Sequence, residues 1–314
     1  MDRMLQIEGL TKQFGSFTAV DNISFEVDRG EVLGFLGPNG AGKTTAMRMV
    51  TGFLTPTAGT AYVGGHDVTL EPQEVKRRIG YLPEGAPLYE DMTPSELLGF
   101  VSDVRGISGG AKRDAIASAA SRINIEHVMH QAIGTLSKGY KRRVGIAQAI
   151  LHDPEILILD EPTDGLDPNQ KHEVRKLINE MAKDKVIVIS THLLDEVDTV
   201  CSRAIVIAHG KIVADGTPVD LEAQSELHNA VTFRLAEAES EKSKSAVEAI
   251  ESVDRVVEGE SADGLVTYTA YPKDSQIVID DVSAALKDAG VSVQEIQAER
   301  GRLDEVFRRI TTAA

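Results

Sequence analysis

The chain has 314 residues, enough for one large domain and one small domain but not for two large ones. Apolar residues make up 42%, which suits a packed core and argues against general disorder. The 33 Lys and Arg residues against 49 Asp and Glu give a net charge of −16, which repels nucleic acid over most of the surface. Solubility alone would account for this acidity, and a local basic patch is compatible with it. We therefore expect no nucleic-acid partner.

Cysteine usage and apolar patterning bear on the compartment. Cys201 is the single cysteine, so the chain forms no internal disulfide and has no Cys/His zinc spacing. A reducing, cytoplasmic setting fits this pattern. Residues 1–6 lack the apolar stretch of a secretory signal, and no apolar run approaches the roughly 20 residues that span a bilayer. If the protein acts at a membrane, we expect a partner to supply the membrane-spanning part.

The first strands differ in their patterns. Residues 5–8 and 23–27 alternate apolar and polar side chains, as half-buried antiparallel strands do. Residues 32–36, 156–159 and 186–189 are continuously apolar, which is typical of buried strands. Because helical patterns separate these buried strands, the sequence predicts an α/β fold with a parallel core sheet and an N-terminal antiparallel β subdomain.

Two further changes of pattern divide the chain. The stretch from Pro94 to Ala132 is helical in character and predicts a helical subdomain inserted into the α/β core. The first domain is expected to end near Pro218, which gives domains at 1–218 and 219–314. The second domain has the order β, α, β, β, α, β and a last helix, which predicts a small α+β (ferredoxin-like) domain. Its predicted elements lie at 231–235, 244–250, 253–257, 265–268, 277–286, 291–296 and 303–310.

A phosphate-binding loop follows the strand at 32–36. Residues 37–44 match the pattern G-x-x-x-x-G-K-[ST] at every fixed position, and a helical segment begins at Lys43. Glycines let successive backbone N–H groups point inward, and the helix presents its positive N-terminal end to the same place. Lys43 is expected to reach the β- and γ-phosphates, and the Thr44 hydroxyl to bind Mg²⁺. A glycine-rich turn that binds nothing is the weaker alternative. The predicted phosphate-contacting residues are Gly37, Pro38, Asn39, Gly40, Ala41, Gly42, Lys43, Thr44 and Thr45.

Two carboxylates follow the apolar strand at 156–159. Asp160 and Glu161 would then lie at the carboxyl edge of the sheet, where α/β proteins bind ligands. We expect Asp160 to hold Mg²⁺ directly or through water, and Glu161 to act as the general base for the attacking water. A solvated acidic turn could have the same sequence, but the presence of the phosphate loop makes the catalytic interpretation the stronger one.

The segment Leu136-Ser137-Lys138-Gly139-Tyr140 precedes these acids. Together with the phosphate loop, Asp160-Glu161 and Thr191-His192, it resembles the ATPases of ABC transporters over residues 4–218. The resemblance implies ATP and Mg²⁺ as cofactors. The signature departs from the family at Lys138, where a second glycine is usual, and at Tyr140, where a glutamine is usual.

The resemblance also implies roles for single residues. Phe14 would stack on adenine, although an ordinary core aromatic would occupy the same place in the sequence. Glu84 stands where the family usually has a glutamine that senses Mg²⁺ and water, and a carboxylate there would still contact either. Ser137 and Gly139 would cap the γ-phosphate, and Asp167 would lie in the loop that crosses between partner subunits. His192 would hydrogen-bond the γ-phosphate, which makes Glu161, His192 and Lys43 the expected catalytic set.

The resemblance finally implies partners. The chain has one phosphate loop and one signature, so a complete site needs a second ABC subunit, which would make a homodimer with two ATP molecules between the subunits. Residues 79–89 and the C-terminal segment 302–307 resemble ATPase subunits of ABC-2-type exporters of the gliding-motility and copper-processing groups. A separate permease would hold such a subunit at the cytoplasmic face of the plasma membrane. A soluble translation or repair ATPase is the alternative, but it would usually carry two cassettes or a long coiled coil. The transported substrate does not follow from the sequence.

Overall fold

The computed structural model describes residues 3–85 and 87–312. Contacts divide the chain into two compact units. The first comprises the residues up to Pro218 together with the chain from Ile310, and the second comprises Val219–Arg309. Ala86, part of the exporter-like segment 79–89, lies outside the described residues. No helix within the described ranges combines the length and apolarity needed to cross a lipid bilayer.

The first unit contains two sheets and seven helices among its described residues. Their bounds in chain order are β1 Arg3–Phe14, β2 Phe17–Asp28, β3 Val32–Leu36, α1 Lys43–Val50, β4 Ala58–Val63, β5 His66–Asp67, α2 Pro72–Arg78, β6 Ile79–Leu82, α3 Pro94–Val104, α4 Gly109–Arg122, α5 Lys138–Ile150, β7 Ile156–Asp160, α6 Pro168–Met181, β8 Val186–Thr191, α7 Leu194–Val200, β9 Arg203–Ala208 and β10 Lys211–Gly216.

The central sheet has the strand order β10-β9-β3-β8-β7-β6. Every neighbouring pair is parallel except β9 and β10, and β3, β7 and β8 are buried along their whole length. Such strands read as continuous apolar runs because helices cover both faces of a parallel sheet. The prediction of a parallel α/β core is confirmed. The carboxyl ends of β3, β7 and β8 lie side by side, so the loops that follow them converge at one edge.

The N-terminal strands form a separate antiparallel sheet in the order β2-β1-β4-β5. β1 and β2 are each 12 residues long and extend well beyond the alternating segments seen in the sequence. Phe25 of β2 and Phe35 of β3 pack with their ring centroids 5.6 Å apart, within a core shared by both sheets. The predicted antiparallel β subdomain is thereby confirmed, and the aromatic contact joins it to the parallel core.

The helical stretch at 94–132 has two α-helices and then becomes irregular. A Thr93–Glu96 capping box begins α3, in which the Thr93 hydroxyl accepts from the Glu96 amide while the Glu96 carboxylate accepts from the Thr93 amide. Two single 3₁₀ turns, Glu126–Val128 and Ile133–Thr135, lead from α4 to α5. Ser137 caps α5 because its side chain accepts from the Tyr140 amide.

The second unit is built on one antiparallel sheet of four strands. Their order in the sheet is β12 (Val253–Ala262), β13 (Leu265–Pro272), β11 (Val231–Ala236) and β14 (Val293–Ala298). Its buried core includes Val231, Phe233 and Tyr268, and the rings of Phe233 and Tyr268 stack at 5.7 Å. Alternate residues of β11 and β13 are buried, which is the period-2 pattern of a sheet covered on one face. The bounds from Pro218 onward are α8 Pro218–Glu222, β11 Val231–Ala236, α9 Ser240–Glu248, β12 Val253–Ala262, β13 Leu265–Pro272, α10 Ile279–Asp288, β14 Val293–Ala298 and α11 Leu303–Thr312.

Candidate nucleotide site

The phosphate loop runs from the end of β3 to the start of α1. Gly42 has φ of 108°, a conformation that L side chains rarely adopt, and a Cβ there would lie 2.5 Å from the Ala19 carbonyl oxygen. A Cβ at Gly37 would lie 2.5 Å from the Ile207 carbonyl oxygen. Both glycines are therefore required by close backbone approach, and they hold the loop where the N-terminal end of α1 meets it.

Lys43 is the buried cation of this loop. Its Nζ donates to the carbonyl oxygens of Gly37 at 2.7 Å and Pro38 at 3.4 Å, and lies 3.9 Å from Glu161 Oε1. Burial lowers the pKa of Lys43, while the nearby charges of Glu161, Asp160 and Glu84 oppose that shift. An ammonium group held in this way is stabilised by an arriving anion, which fits the predicted contact with phosphate.

Asp160 ends β7 and is completely buried. Ser190, its register neighbour on β8, donates its hydroxyl to Asp160 Oδ1, whereas Oδ2 has no hydrogen-bond partner. A buried carboxylate oxygen without a donor is costly unless something positive binds it. The donor set of Asp160, the Thr44 hydroxyl and Glu84 consists of oxygen ligands, which Mg²⁺ prefers. These residues thus fit the predicted cation.

Glu161 and His192 face each other across the loops that follow β7 and β8. His192 Nδ1 lies 2.9 Å and 3.0 Å from the two carboxylate oxygens of Glu161. Glu161 has φ of 52°, which is strained for a non-glycine residue, and its amide donates to the Ser190 carbonyl at 2.9 Å. The two predicted catalytic side chains are in contact, and backbone strain of this kind is found where a side chain must be aimed.

A cleft of about 360 Å³ collects most of the predicted nucleotide residues. Phe14 is exposed at one end of it, and Glu161 and Lys43 lie with the phosphate loop. An aromatic ring at the surface beside a phosphate loop is unlike the ordinary core aromatic that was the alternative for Phe14. The lining residues are Phe14, Phe17, Ala19, Pro38, Asn39, Gly40, Gly42, Lys43, Thr44, Thr45, Glu84 and Glu161.

The signature residues are not among those that line this cleft. Ser137 is exposed at the start of α5, and Gly139 is buried as the second residue of the helix. Asp167 is also outside the lining set, and its side chain caps α6 by accepting from the Gln170 amide at 2.9 Å. The Ser137 hydroxyl accepts from the Tyr140 amide, and Ser137 does not line the cleft that contains the phosphate loop of its own chain.

Sequence reasoning missed two residues that support the site. Arg142 is buried in α5 and donates to the carbonyls of Asp160 at 2.9 Å and Pro162 at 3.3 Å. Ser190 holds one oxygen of Asp160, as described above. Arg142 belongs to the basic run 141–143, and nothing in that run marks it as buried. Only the contacts of α5 with β6 and with the end of β7 distinguish a buried arginine from an exposed one.

Comparison with known proteins places this fold and site in one class. A family model described as ABC transporter matches residues 20–164. The chain is 32% identical over 310 residues to the daunorubicin/doxorubicin resistance ATP-binding protein DrrA of Streptomyces peucetius, covering 98% of this chain and 92% of DrrA. A solved structure described as the ATP binding subunit of an ABC transporter superposes with a TM-score of 0.65 at 30% identity, covering 70% of this chain and 92% of that one. The chain belongs to the ABC transporter family.

Another relative is longer. The chain is 38% identical over 225 residues to the probable multidrug ABC transporter ATP-binding protein YbhF of Escherichia coli (strain K12), covering 71% of this chain but 39% of YbhF. The chain thus spans about two fifths of that relative's length. The predictions of an ABC-type P-loop fold and of nucleotide binding are confirmed.

Proposed function

We propose that this protein is the ATP-hydrolysing subunit of an ABC-2-type exporter and that it works as a pair of cassettes on a separate permease. One observation carries the pairing. The cleft with Phe14, Lys43 and Glu161 holds the adenine and phosphate side of a site, while the exposed Ser137 and the buried Gly139 are not among the residues that line it. A second subunit brings its exposed Ser137 to the γ-phosphate and completes the site, which makes two sites in a homodimer.

ATP binding precedes the chemical step. Phe14 stacks on adenine, the loop 37–45 surrounds the phosphates, and Lys43 exchanges part of its contact with Glu161 for contact with phosphate oxygens. Thr44, Asp160 and Glu84 would hold Mg²⁺, which neutralises phosphate charge when it is bound. His192 hydrogen-bonds the γ-phosphate from the loop after β8.

Hydrolysis uses the carboxylate between Lys43 and His192. Glu161 accepts a proton from water as the water oxygen bonds to the γ-phosphorus, and the bond from that phosphorus to the oxygen bridging the β- and γ-phosphates breaks. ADP and phosphate leave, and the pair opens because the γ-phosphate no longer links the two subunits. Opening and closing is the motion that a permease would convert into export, at the cytoplasmic face of the membrane.

The pairing is tested with a Glu161→Gln variant, which binds ATP without turnover. Gel filtration or light scattering with saturating ATP and Mg²⁺ is expected to give a dimer that returns to monomer on dilution into ADP. The double variant Glu161→Gln/Ser137→Ala serves as the matched control, because it should bind ATP with far less dimer. A monomer at saturating ATP, combined with undiminished wild-type turnover at high dilution, would refute the pairing.

The permease is tested separately. Affinity purification of the chain from detergent-solubilised membranes of its own host should recover a multi-span protein in stoichiometric amount. Recovery of the chain from the cytosolic fraction alone would refute the transport role while leaving ATP hydrolysis intact. DrrA, which matches nearly the whole chain, is described as a daunorubicin/doxorubicin resistance protein, and this supports these two drugs as the first cargo to try.

A further inference from the structure

Glu196 is a carboxylate that the proposed reaction does not use. It lies in α7 with 2% of its surface exposed, and burial raises its pKa. Acidic residues are rarely buried to this degree unless they are held by partners. Glu196 therefore requires an explanation in terms of what it contacts.

Its contacts join two different loops. The Thr163 hydroxyl donates to Glu196 Oε1, and Thr163 lies two residues after Glu161 and is itself buried. The side chain of Thr191, the residue immediately before His192, interacts with the same carboxylate and lowers its pKa. Thr191 also accepts from the Leu193 amide at 3.0 Å, and the Glu196 amide donates to the Leu193 carbonyl at 3.3 Å. One side chain thus contacts both the loop after β7 and the loop after β8.

The charges around Glu196 do not provide a simple ion pair. Arg175 and Lys171 lower its pKa and Asp195 raises it, all through space, while Arg175 donates to Asp195 at 2.6 Å. Because the donor to its carboxylate is a threonine hydroxyl, Glu196 acts through the position of its side chain more than through an ion pair.

We propose that Glu196 is a positioning residue that holds the Glu161 loop and the His192 loop at one spacing. The two side chains that must act together are 2.9 Å apart across these loops. A misplacement of about 1 Å at a catalytic group costs on the order of 10²-fold in rate. The expected effect on turnover rests on the proposed ATPase function, but the expected effect on the loop spacing does not.

Hydrogen exchange tests the positioning without reference to catalysis. Glu196→Leu has nearly the same volume and cannot accept a hydrogen bond, whereas Glu196→Gln keeps an acceptor and gains a donor. In the full-length protein without nucleotide, Glu196→Leu is expected to speed amide exchange about tenfold or more in peptides covering 161–167 and 191–195. The exchange rate of the phosphate-loop peptide 37–45 should not change. In Glu196→Gln, the exchange rates of all three peptides should stay within about twofold of wild type.

Turnover is measured on the same variants. For Glu196→Leu we expect kcat to fall about 10²-fold while the Kd for ADP, which the phosphate loop dominates, stays within about threefold. Glu196→Gln should recover most of kcat. Thr163→Val removes the hydroxyl that donates to Glu196 Oε1, so its kcat should lie between those of Glu196→Leu and Glu196→Gln. If exchange in Glu196→Leu rises in neither loop, in only one of them, or equally across the whole chain, the positioning role is wrong. Faster exchange in both loops combined with unchanged kcat would refute the catalytic consequence.

Failure of the proposed function would give a different result from failure of the positioning role. If wild-type protein hydrolysed no ATP, the exchange measurement would still decide the positioning role. If wild-type protein hydrolysed ATP and Glu196→Leu matched it in exchange and in kcat, the proposed function would stand and this inference would be overturned.

Discussion

Replacing Glu161 by glutamine isolates the charge that lies nearest to Lys43. The substitution keeps the shape of the side chain and removes one negative charge. The Lys43 Nζ and Glu161 Oε1 are 3.9 Å apart, and the side chains are 7% and 11% exposed. At an effective dielectric constant of about 20, two unit charges at that distance interact by roughly 4 kcal/mol before desolvation is counted. The substitution therefore changes both turnover and the binding of anions.

Two effects of opposite sign are expected. Without the general base, kcat should fall by about 10²- to 10⁴-fold. ATP should bind more tightly, because the Lys43 ammonium no longer has a carboxylate beside it and the γ-phosphate meets one negative charge fewer. If a third of the 4 kcal/mol is recovered in binding, the Kd for ATP falls about tenfold. Steady-state phosphate release and fluorescence titration with a labelled ATP analogue measure the two quantities.

Asp164→Asn is the matched control, because Asp164 is an exposed carboxylate in the same loop and does not line the cleft. We expect its kcat and its Kd for ATP to stay within about threefold of wild type, which separates the loss of the base from a general change of local charge. Turnover by Glu161→Gln within threefold of wild type would remove Glu161 from the base role. Weaker ATP binding by the same variant would refute the electrostatic reasoning.

Three further outcomes are expected. Gly42→Ala should abolish detectable ATP binding or lower the thermal midpoint. The strained φ costs about 1–3 kcal/mol, and the new Cβ would lie 2.5 Å from the Ala19 carbonyl oxygen. Isothermal titration with ATP measures the binding, and a thermal scan measures the midpoint. Tyr140→Phe should lose the 2.9 Å hydrogen bond to His127 and destabilise the protein by about 0.5–1.5 kcal/mol in urea unfolding. Burial lowers the pKa of His152 to about 4, below its unfolded value, so its contribution to stability is present above about pH 6.5 and is lost as pH falls toward 4. That contribution has an upper bound of about 3 kcal/mol and should be missing in His152→Gln when unfolding is measured across this pH range.

Each of these has a control. Gly40→Ala also changes a left-handed glycine of the loop but meets no atom within 4 Å, so it should cost only the backbone strain. Tyr89→Phe changes an exposed tyrosine and should leave stability within about 0.5 kcal/mol. His172→Gln changes an exposed histidine and should keep the wild-type dependence on pH. Equal effects in control and variant would contradict the structural reason given for that variant.

Short-range features of the sequence were sufficient for much of the cassette. The loop 37–44 could be predicted because glycine spacing, an entering apolar strand and a leaving helix are all local. The buried strands β3, β7 and β8 could be predicted because burial on both faces leaves a continuous apolar run. Element bounds were less accurate, as in α9, which begins four residues before the predicted 244.

Contacts between distant segments could not be predicted in this way. The 2.9 Å approach of His192 to Glu161 depends on β7 and β8 being neighbours in the sheet, and the burial of Arg142 depends on where α5 packs. Glu196 had no motif of its own, and only its two threonine partners distinguish it from an ordinary surface acid.

The sequence by itself therefore determined the class of protein, the phosphate loop and the identity of the two acids after β7, because each depends on residues adjacent in the chain. Only the tertiary structure decided how those groups meet. It left one oxygen of Asp160 without a donor, set Lys43 between carbonyls and carboxylates, and left Ser137 outside the lining of the cleft. The physical reason is that charge, burial and hydrogen bonding act over a few ångströms of space, whereas a motif records only distance along the chain.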